Sequence, residues 1–117
     1  MTLGPTAAAL ERYLDLLAAR QRITASNIAN AETPGYRARE VDFQAELRSY
    51  LAAPREAFLP IAVRESTGLP VKNDGNNVRL DAEMQALGDN VVRFQLASLL
   101  LQKQIRGLRN TIREGRG

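Results

Sequence analysis

The fold is decided by residues 81–113, DAEMQALGDNVVRFQLASLLLQKQIRGLRNTIR. Nine positions in this stretch follow one another at alternating spacings of three and four residues, and all of them except Ser98 are apolar. These positions are Met84, Leu87, Val91, Phe94, Ser98, Leu101, Ile105, Leu108 and Ile112. A seam kept over about four heptads predicts one helix of about 33 residues, with Asp81 as its N-cap.

A second seam lies near the N-terminus. It joins, at the same spacing, Ala7, Leu10, Leu14, Leu17, Gln21, Thr24, Ile28 and Ala31. This pattern predicts a helix from about Thr6 to Asn30, with Pro5 in a first turn that tolerates a missing amide. The two helices are expected to pair as an antiparallel coiled-coil hairpin, in which each buried apolar side chain contributes about 1.5 to 3 kcal/mol. The apolar residues of both seams would hold the helices together.

Composition divides the chain into three parts, and the expected fold class is mainly α. Residues 1–31 would form the N-terminal helix, residues 32–80 an irregular middle segment, and residues 81–117 the C-terminal helix. The middle segment contains Pro34, Pro54, Pro60 and Pro70, which disfavour long helices there.

A short helix is expected inside the middle segment. Helical spacing behind Asp42 joins Phe43, Leu47, Tyr50 and Leu51. This pattern predicts an amphipathic helix near residues 42–53 that ends at Pro54.

Extended structure is expected in the rest of the middle segment. Leu59, Ile61 and Val63 alternate as in a strand, but Pro60 restricts this segment to a sheet edge or an extended arm. The run NDGNN at residues 73–77 is a turn signal, and it indicates a weak β-hairpin between Val71 and Val78.

Some apolar residues lie outside both seams. They are Leu16, Ile23, Val92, Leu96, Leu99 and Leu100. Two helices bury only one stripe of each other, so these residues need a second surface. The middle segment could shield them as part of a wide apolar stripe. The favoured interpretation is that neighbouring subunits complete the core and that the isolated chain is only partly ordered.

Composition excludes several classes of chemistry. The 117 residues include no cysteine and no histidine, which removes disulfides, thiolate chemistry, Cys/His zinc sites and imidazole bases. The carboxylate pairs Asp81/Glu83 and Glu40/Asp42 are two residues apart, so they do not face each other on a helix. We therefore expect no enzyme activity, no cofactor and no metal. The uncharged stretches 1–10 and 94–102 are too short for a membrane span, which needs about 20 apolar residues.

Basic residues crowd the end of the C-terminal helix. They are Lys103, Arg106, Arg109, Arg113 and Arg116, with Glu114 opposing them. Cations near a helix C-terminus complement its dipole, and we interpret them first as a solvated face. A contact with a partner is the next interpretation. The formal net charge is only +3 and no nucleic-acid motif accompanies the stripe, so no nucleic-acid partner is expected.

Residues 25–37, ASNIANAETPGYR, end the first helix and turn the chain. Asn30 can adopt the left-handed conformation that closes a helix, and Pro34 and Gly35 suit the two central positions of a type II turn. Asn27 and Asn30 lie on one helix face, where their amides could bond the backbone of the returning loop. Tyr36 would anchor the chain after the turn.

This segment resembles the N-terminal signature of the flagellar rod, hook and filament-junction family of axial proteins. The resemblance rests on Asn27, Ile28, Ala29 and Asn30, followed by Thr33, Pro34, Gly35, Tyr36 and the basic Arg37. Two further segments are similar to the proximal rod members of that family: residues 38–47, and a second motif of Asp74, Gly75, Asn76, Asn77 and Val78 with LDAEM at residues 80–84. The short length favours a rod protein, because hook and distal rod members carry large inserted domains. The resemblance covers about residues 6–53 and 74–113.

The resemblance implies a structural subunit of the bacterial flagellar basal-body proximal rod, part of the drive shaft and required for motility. The terminal helices would pack as an inner coiled-coil layer around the axial export channel. Export would use the flagellar type III apparatus without a cleaved signal peptide, which suits an N-terminus lacking one. Expected partners are copies of the chain itself, the other proximal rod proteins, and the adaptor, export gate and MS ring at the rod base.

The resemblance implies a role for the turn residues, and two alternative functions of the chain remain open beside it. Asn27, Asn30, Thr33, Pro34, Gly35 and Tyr36 would form a structured turn between the inner helix and the middle segment. The chain could instead be another proximal rod protein of the same family. The heptads alone would also suit a coiled-coil interaction protein outside the flagellum, such as a homodimeric regulator.

Overall fold

The protein is an elongated, mainly helical molecule. The structure, a computed structural model, describes residues 4–53 and 60–116. Its principal extents are 69 × 26 × 16 Å. In chain order its elements are α1 (Pro5–Ala29), β1 (Arg39–Val41), α2 (Phe43–Ala52), β2 (Val63–Glu65) and α3 (Leu80–Arg116). The expected mainly α class, with two long terminal helices, is confirmed.

Helix α1 ends differently from the prediction. Asn30 is its C-cap, but φ is −105° and ψ is 17°, so the expected left-handed conformation is wrong. The Asn30 side-chain amide donates to the carbonyl of Ser26 at 2.8 Å. The Thr33 amide then donates to the carbonyl of Asn30 at 3.0 Å. These bonds lead the chain out of the helix through tight right-handed turns, and no left-handed residue is needed there.

Helix α3 begins earlier than predicted. It has 37 residues and starts at Leu80, so Asp81 lies in its first turn and is not the N-cap. The Glu83 amide donates to the carbonyl of Arg79 at 2.9 Å, which places Arg79 at the capping position. Asp81 and Glu83 instead face the positive end of the helix dipole, where negative charge is stabilising.

Helices α1 and α3 pack side by side in opposite directions. The Asn27 side-chain amide donates to Glu83 Oε1 at 3.0 Å. Further along α3, the Asn90 side-chain amide donates to the carbonyl of Leu17 at 2.9 Å. Since a helix rises about 1.5 Å per residue, the last turns of α3, from about Lys103 onward, project roughly 20 Å beyond the start of α1.

The α3 surface that meets α1 is rotated from the predicted seam. Asn90 and Ala97 are buried, although neither belongs to that seam. Among the predicted seam residues, Met84 is 55% exposed and Val91 is 39% exposed. Four others are half-buried: Leu87, Leu101, Ile105 and Leu108. Phe94 and Ile112 are each 37% exposed. Small and polar side chains bring α3 close enough for the Asn90 amide to reach a backbone carbonyl, which the spacing of large apolar residues cannot reveal.

The α1 side of the contact follows the prediction more closely. Leu17 and Thr24 are buried as expected, and Leu10, Leu14 and Ile28 are half-buried. Leu16, which lies outside the predicted seam, is fully buried within this chain, so it needs no neighbouring subunit to cover it.

Helix α2 confirms the predicted short helix. Asp42 caps it, since Asp42 Oδ1 accepts a hydrogen bond from the Ala45 amide at 3.2 Å. The rings of Tyr13 and Phe43 meet edge to face, with centroids 5.2 Å apart, and this contact joins α2 to α1. The helix ends at Ala52, within the expected range of residues 42–53, and Pro54 itself lies outside the described residues.

The small sheet is paired differently from the prediction. Strands β1 and β2 are antiparallel, with Val41 opposite Val63 and Glu40 opposite Arg64. The expected hairpin between Val71 and Val78 is wrong, because the described residues there form no strands. Their turn does form, closed by a hydrogen bond from the Lys72 amide to the carbonyl of Asn76 at 2.8 Å. Strand β2 is exposed, as the neighbouring Pro60 indicated, while Leu59 lies outside the described residues.

Across the part of the chain that the structure describes, no helix combines the length and the apolar content needed to cross a membrane.

Candidate functional site

The two sequence motifs come together in one structure, which we call the turn module and define as residues 27–39 and 72–78. The first motif turns at Pro34 and Gly35. The Tyr36 amide donates to the carbonyl of Thr33 at 3.2 Å, and Gly35 has a φ of 77°. This is the pattern of a type II turn, as the sequence predicts.

The second motif docks directly on the first turn. The Gly35 amide donates to the carbonyl of Asp74 at 2.9 Å. Gly75 has a φ of 86°, and a Cβ atom placed on it would lie 3.3 Å from the Cα atom of Gly35. Glycine is therefore required at Gly75 both by backbone conformation and by the close approach of the two turns.

Asn76 connects the turns from inside the module. Its side chain is fully buried. The side-chain nitrogen of Asn76, Nδ2, donates to the carbonyl of Asn30 at 2.9 Å and to that of Thr33 at 2.8 Å. Its Oδ1 accepts a hydrogen bond from the Val78 amide at 2.7 Å. Both N–H groups and the oxygen of this amide are thus satisfied, as a buried polar group requires.

Asn77 adds a second connection. The side-chain oxygen of Asn77, Oδ1, accepts a hydrogen bond from the backbone amide of Ala38 at 2.6 Å. The backbone amide of Asn77 donates to the carbonyl of Tyr36 at 3.3 Å. Val78 packs beside them in a small apolar cluster with Ala31 and Ala38. The last three residues of the predicted second motif therefore form the buried side of the module.

Asn27 ties α1 to strand β1. Its side-chain amide donates to the carbonyl of Arg39 at 2.8 Å, and its Oδ1 accepts a hydrogen bond from the Arg39 amide at 3.1 Å. It therefore occupies the position that another strand would take beside β1. The Tyr36 hydroxyl also donates to Asn27 Oδ1, at 2.9 Å. The expectation that Asn27 bonds the returning backbone is confirmed, whereas the Asn30 side chain bonds its own helix.

Glu83 joins helix α3 to this network, because its Oε1 accepts the hydrogen bond from the Asn27 side-chain amide. Burial raises the pKa of its carboxyl above the ordinary value, and the negative charge of Glu40 adds to the rise. The hydrogen bond from Asn27 and the positive charge of Arg20 oppose it. The carboxylate therefore serves to bind Asn27 at some electrostatic cost. In residues 4–53 and 60–116, no acidic side chains are grouped so that they could hold a metal ion.

The outer side of the module is open. Thr33, Pro34, Gly35 and Asp74 are exposed, while Ile28 is half-buried. The conformation of the turn is thus fixed from within by Asn76 and Asn77, and its rim is accessible to another molecule.

A second candidate surface lies on α3, and we call it the assembly face. Val92 is 64% exposed, Leu96 57% and Leu99 56%. These three residues are spaced four and three apart, so they share one side of the helix. Leu100 beside them is 44% exposed. These four are among the six apolar residues that the sequence analysis left outside both seams.

The basic residues extend the exposed surface toward the end of α3. Lys103, Arg106, Arg109 and Arg113 are exposed. The side chain of Arg116, the last member of the predicted stripe, lies outside the described part of the chain.

A groove of about 630 Å³ runs along the contact of α1 and α3. Gln21 and Ala25 of α1 line it, with Val91 and Phe94 of α3. Two of the predicted seam residues thus lie at the edge of the helix pair, beside α1.

Sequence reasoning identified both motifs but missed that they dock on each other. The only signal was that each turn has a glycine at a position suited to positive φ. It also missed Asn90, which lies outside the predicted seam and is nevertheless buried.

Comparisons with known proteins agree with the two motifs. The sequence model of the family described as "Flagella basal body rod protein" matches residues 14–37. The flagellar basal body rod protein FlgB of Escherichia coli K12 is 33% identical over 125 residues, covering 90% of this chain and 91% of that protein. FlgB of Yersinia enterocolitica is 30% identical with the same coverage. FlgB of Borrelia hermsii is 35% identical over 106 residues, covering 73% of this chain and 78% of that protein.

Proposed function

We propose, from the premise that this chain belongs to the FlgB family of flagellar basal body rod proteins, that it is a subunit of the proximal rod assembled through its terminal helices. The family gives the chain a structural role in the basal-body rod, and it is not an enzyme family. The positions of the assembly face, the paired helices and the turn module support a proposal for how this subunit contacts its neighbours.

The observation that carries the proposal is the assembly face of α3. Single-chain soluble proteins rarely expose a large contiguous apolar patch unless it binds something. Burying a leucine or valine side chain contributes about 1.5 to 3 kcal/mol, so the face would favour contact with other subunits. Val92, Leu96 and Leu99 are each more than half exposed, which leaves most of that contribution to be gained on assembly.

The terminal helices would supply the inner layer of the rod. In this proposal, residues 1–31 and 81–117 form an inner coiled-coil domain around an axial export channel, and residues 32–80 form the turn and middle segment outside it. The packing of α1 against α3 in opposite directions supports the hairpin arrangement. The projecting end of α3 would extend into a neighbouring subunit along the axis.

The turn module would set the direction in which the middle segment leaves the inner helices. Its internal hydrogen bonds fix the backbone between α1 and β1. A fixed exit angle would place every copy of the middle segment equivalently in a helical array. The role we propose for the module is therefore to orient subunits, with its exposed rim available to a neighbour.

Partners and location follow from the same proposal. The chain would contact copies of itself, other proximal rod proteins, and the adaptor, export gate and MS ring at the rod base. It would reach the periplasm-spanning rod through the flagellar type III apparatus without a cleaved signal peptide. The exposed basic residues near the end of α3 would meet an acidic surface on one of these partners.

Lysine substitutions on the assembly face test this proposal. The double variant Leu96→Lys with Leu99→Lys should leave α1 and α3 paired, since both side chains are exposed, but should block rod formation. Leu51→Lys is the matched control, because Leu51 is 63% exposed at the end of α2, away from the assembly face. Electron microscopy of basal bodies would show rods for the control and none for the double variant. Complete rods in the double variant would contradict the proposal.

A further inference from the structure

The seam between α1 and α3 contains one amide that no apolar pattern explains. The Asn90 side chain is buried, with 1% exposure. Its nitrogen donates to the carbonyl of Leu17 at 2.9 Å and contacts Gln21 Oε1 at 3.4 Å. Its Oδ1 is buried without a hydrogen-bond partner in the described part of the chain. A residue held this way is retained at some cost, which calls for a role other than packing.

The large apolar residues of α3 do not define how far α3 slides along α1. The α3 residues at or beside the observed contact with α1 form two sets, each with a spacing of seven residues, and the first set holds Leu87, Phe94, Leu101 and Leu108. Three of these four side chains are leucines and Phe94 is 37% exposed, so a slip of one heptad, about 10 Å, would still place leucines against α1. The register must be specified by other residues.

In the second set, the type of side chain differs from one heptad to the next. It holds Glu83, Asn90, Ala97 and Gln104. In the observed register, Glu83 accepts a hydrogen bond from Asn27, and Asn90 lies beside Leu17 and Gln21. Polar side chains of α3 are thus matched with polar groups of α1.

A slip in either direction breaks this match. Because Asn90 lies beside Leu17, one slip would place it opposite Leu10 and would move Glu83 against the fully buried Leu17. The other slip would move Glu83 against Ala31, which belongs to the apolar cluster. Both alternatives separate Glu83 from Asn27 and Asn90 from Gln21, so the side-chain hydrogen bonds of the observed register are lost.

We propose that Asn90, through Leu17 and Gln21, sets the register of α3 on α1, and that it still does so when the docking of the two turns is loosened. The register fixes how far the basic end of α3 projects beyond α1. Asn90 is therefore a positioning residue that determines where the chain presents its contacts, whatever the partner is.

Distances between spin labels can test the register in solution. The chain has no cysteine, so labels attached at Asp15→Cys on α1 and Arg109→Cys on α3 would be the only ones present. Both positions are exposed. A slip of one heptad would shift the distance between them by about 10 Å, which pulsed electron paramagnetic resonance resolves.

The test is made in an Asn76→Asp background, which loosens the turn module. Asn76→Asp alone should keep the native distance, and adding Asn90→Leu should produce a second distance shifted by about 10 Å. Asn110→Leu in the same background is the control, because Asn110 is an exposed asparagine on the same helix.

Each outcome decides the proposal. A single native distance with Asn90→Leu would overturn it, because another residue would then set the register. A second distance already present with Asn76→Asp alone would also overturn it, because the module would then be responsible. If Asn90→Leu loses its helical circular dichroism in this background, Gln21→Leu replaces it, and that variant must show the second distance for the proposal to stand.

Discussion

Gly75 and Gly35 meet backbone against backbone: a Cβ atom on Gly75 would lie 3.3 Å from the Cα atom of Gly35. Both residues have positive φ, 86° and 77° respectively. The contact joins two motifs that are 40 residues apart in the sequence, and the Gly35 amide reinforces it by donating to the carbonyl of Asp74. This docking makes one module of two turns.

Gly75→Ala should destabilise the chain more than Gly68→Ala. Both sites have positive φ, which costs an alanine about 1–2 kcal/mol. Only at Gly75 does the new methyl group also press on another backbone, because nothing lies within 4 Å of a Cβ on Gly68. We expect the free energy of unfolding to fall by at least about 1 kcal/mol more for Gly75→Ala, measured by chemical denaturation. Equal losses of unfolding free energy in the two variants would contradict a close contact between Gly75 and Gly35.

Gly35→Val should abolish swimming while export of the subunit remains detectable. A β-branched side chain opposes the φ of 77° that the type II turn needs. Gly68→Val pays a similar backbone cost outside the module, and that strain should leave swimming intact. Motility plates with immunoblots of exported protein provide the measurement. Wild-type swimming by Gly35→Val would remove the assigned role of the turn.

Asn76→Asp should be severely destabilising although the two side chains have nearly the same shape. The aspartate would present oxygen to the carbonyls of Asn30 and Thr33, where the asparagine donates two hydrogen bonds, and it would bury a negative charge. We expect a loss of about 3 kcal/mol in the free energy of unfolding. Asn73→Asp, at an exposed position in the same turn, should change it by about 0.5 kcal/mol or less. Similar losses at the two positions would contradict the buried network.

Glu83→Gln should become more stable relative to the parent chain as the pH rises from about 4 to about 7. Burial raises the pKa of Glu83 in the folded chain, so the folded state binds this proton more tightly than the unfolded state. The contribution of Glu83 to stability therefore falls as the pH rises through the window between the two pKa values. Glutamine carries no such proton, and its oxygen can still accept the hydrogen bond from Asn27.

Denaturation of both chains across that pH range measures the difference. Groups other than residue 83 titrate in both proteins and cancel. A Glu83→Gln variant that becomes less stable relative to the parent chain toward neutral pH would contradict the raised pKa.

Sequence patterns predicted the elements whose signals are local. The prolines, the seam spacing and Asp42 placed α1, α2 and α3 within a few residues, because capping and amphipathic periodicity act over one or two turns. The type II turn at Gly35 was predicted for the same reason.

What sequence reasoning missed depends on contacts between distant segments. Strand β2 pairs with β1, 24 residues away at Glu40 and Arg64, and the expected hairpin between Val71 and Val78 does not form. Asn76 reaches the carbonyl of Asn30 across 46 residues. The seam was misplaced because large apolar residues suggested it, whereas Asn90 and Ala97 form the close contact. Packing in three dimensions overrode the periodic pattern at these positions.

The most direct test of the account is electron microscopy of basal bodies from cells that lack this gene, together with a swimming assay. Cells without a rod subunit should form rings without a rod and should not swim, and the intact gene should restore the rod and swimming. Complete hooks and normal swimming in the deleted cells would contradict a structural role in the rod.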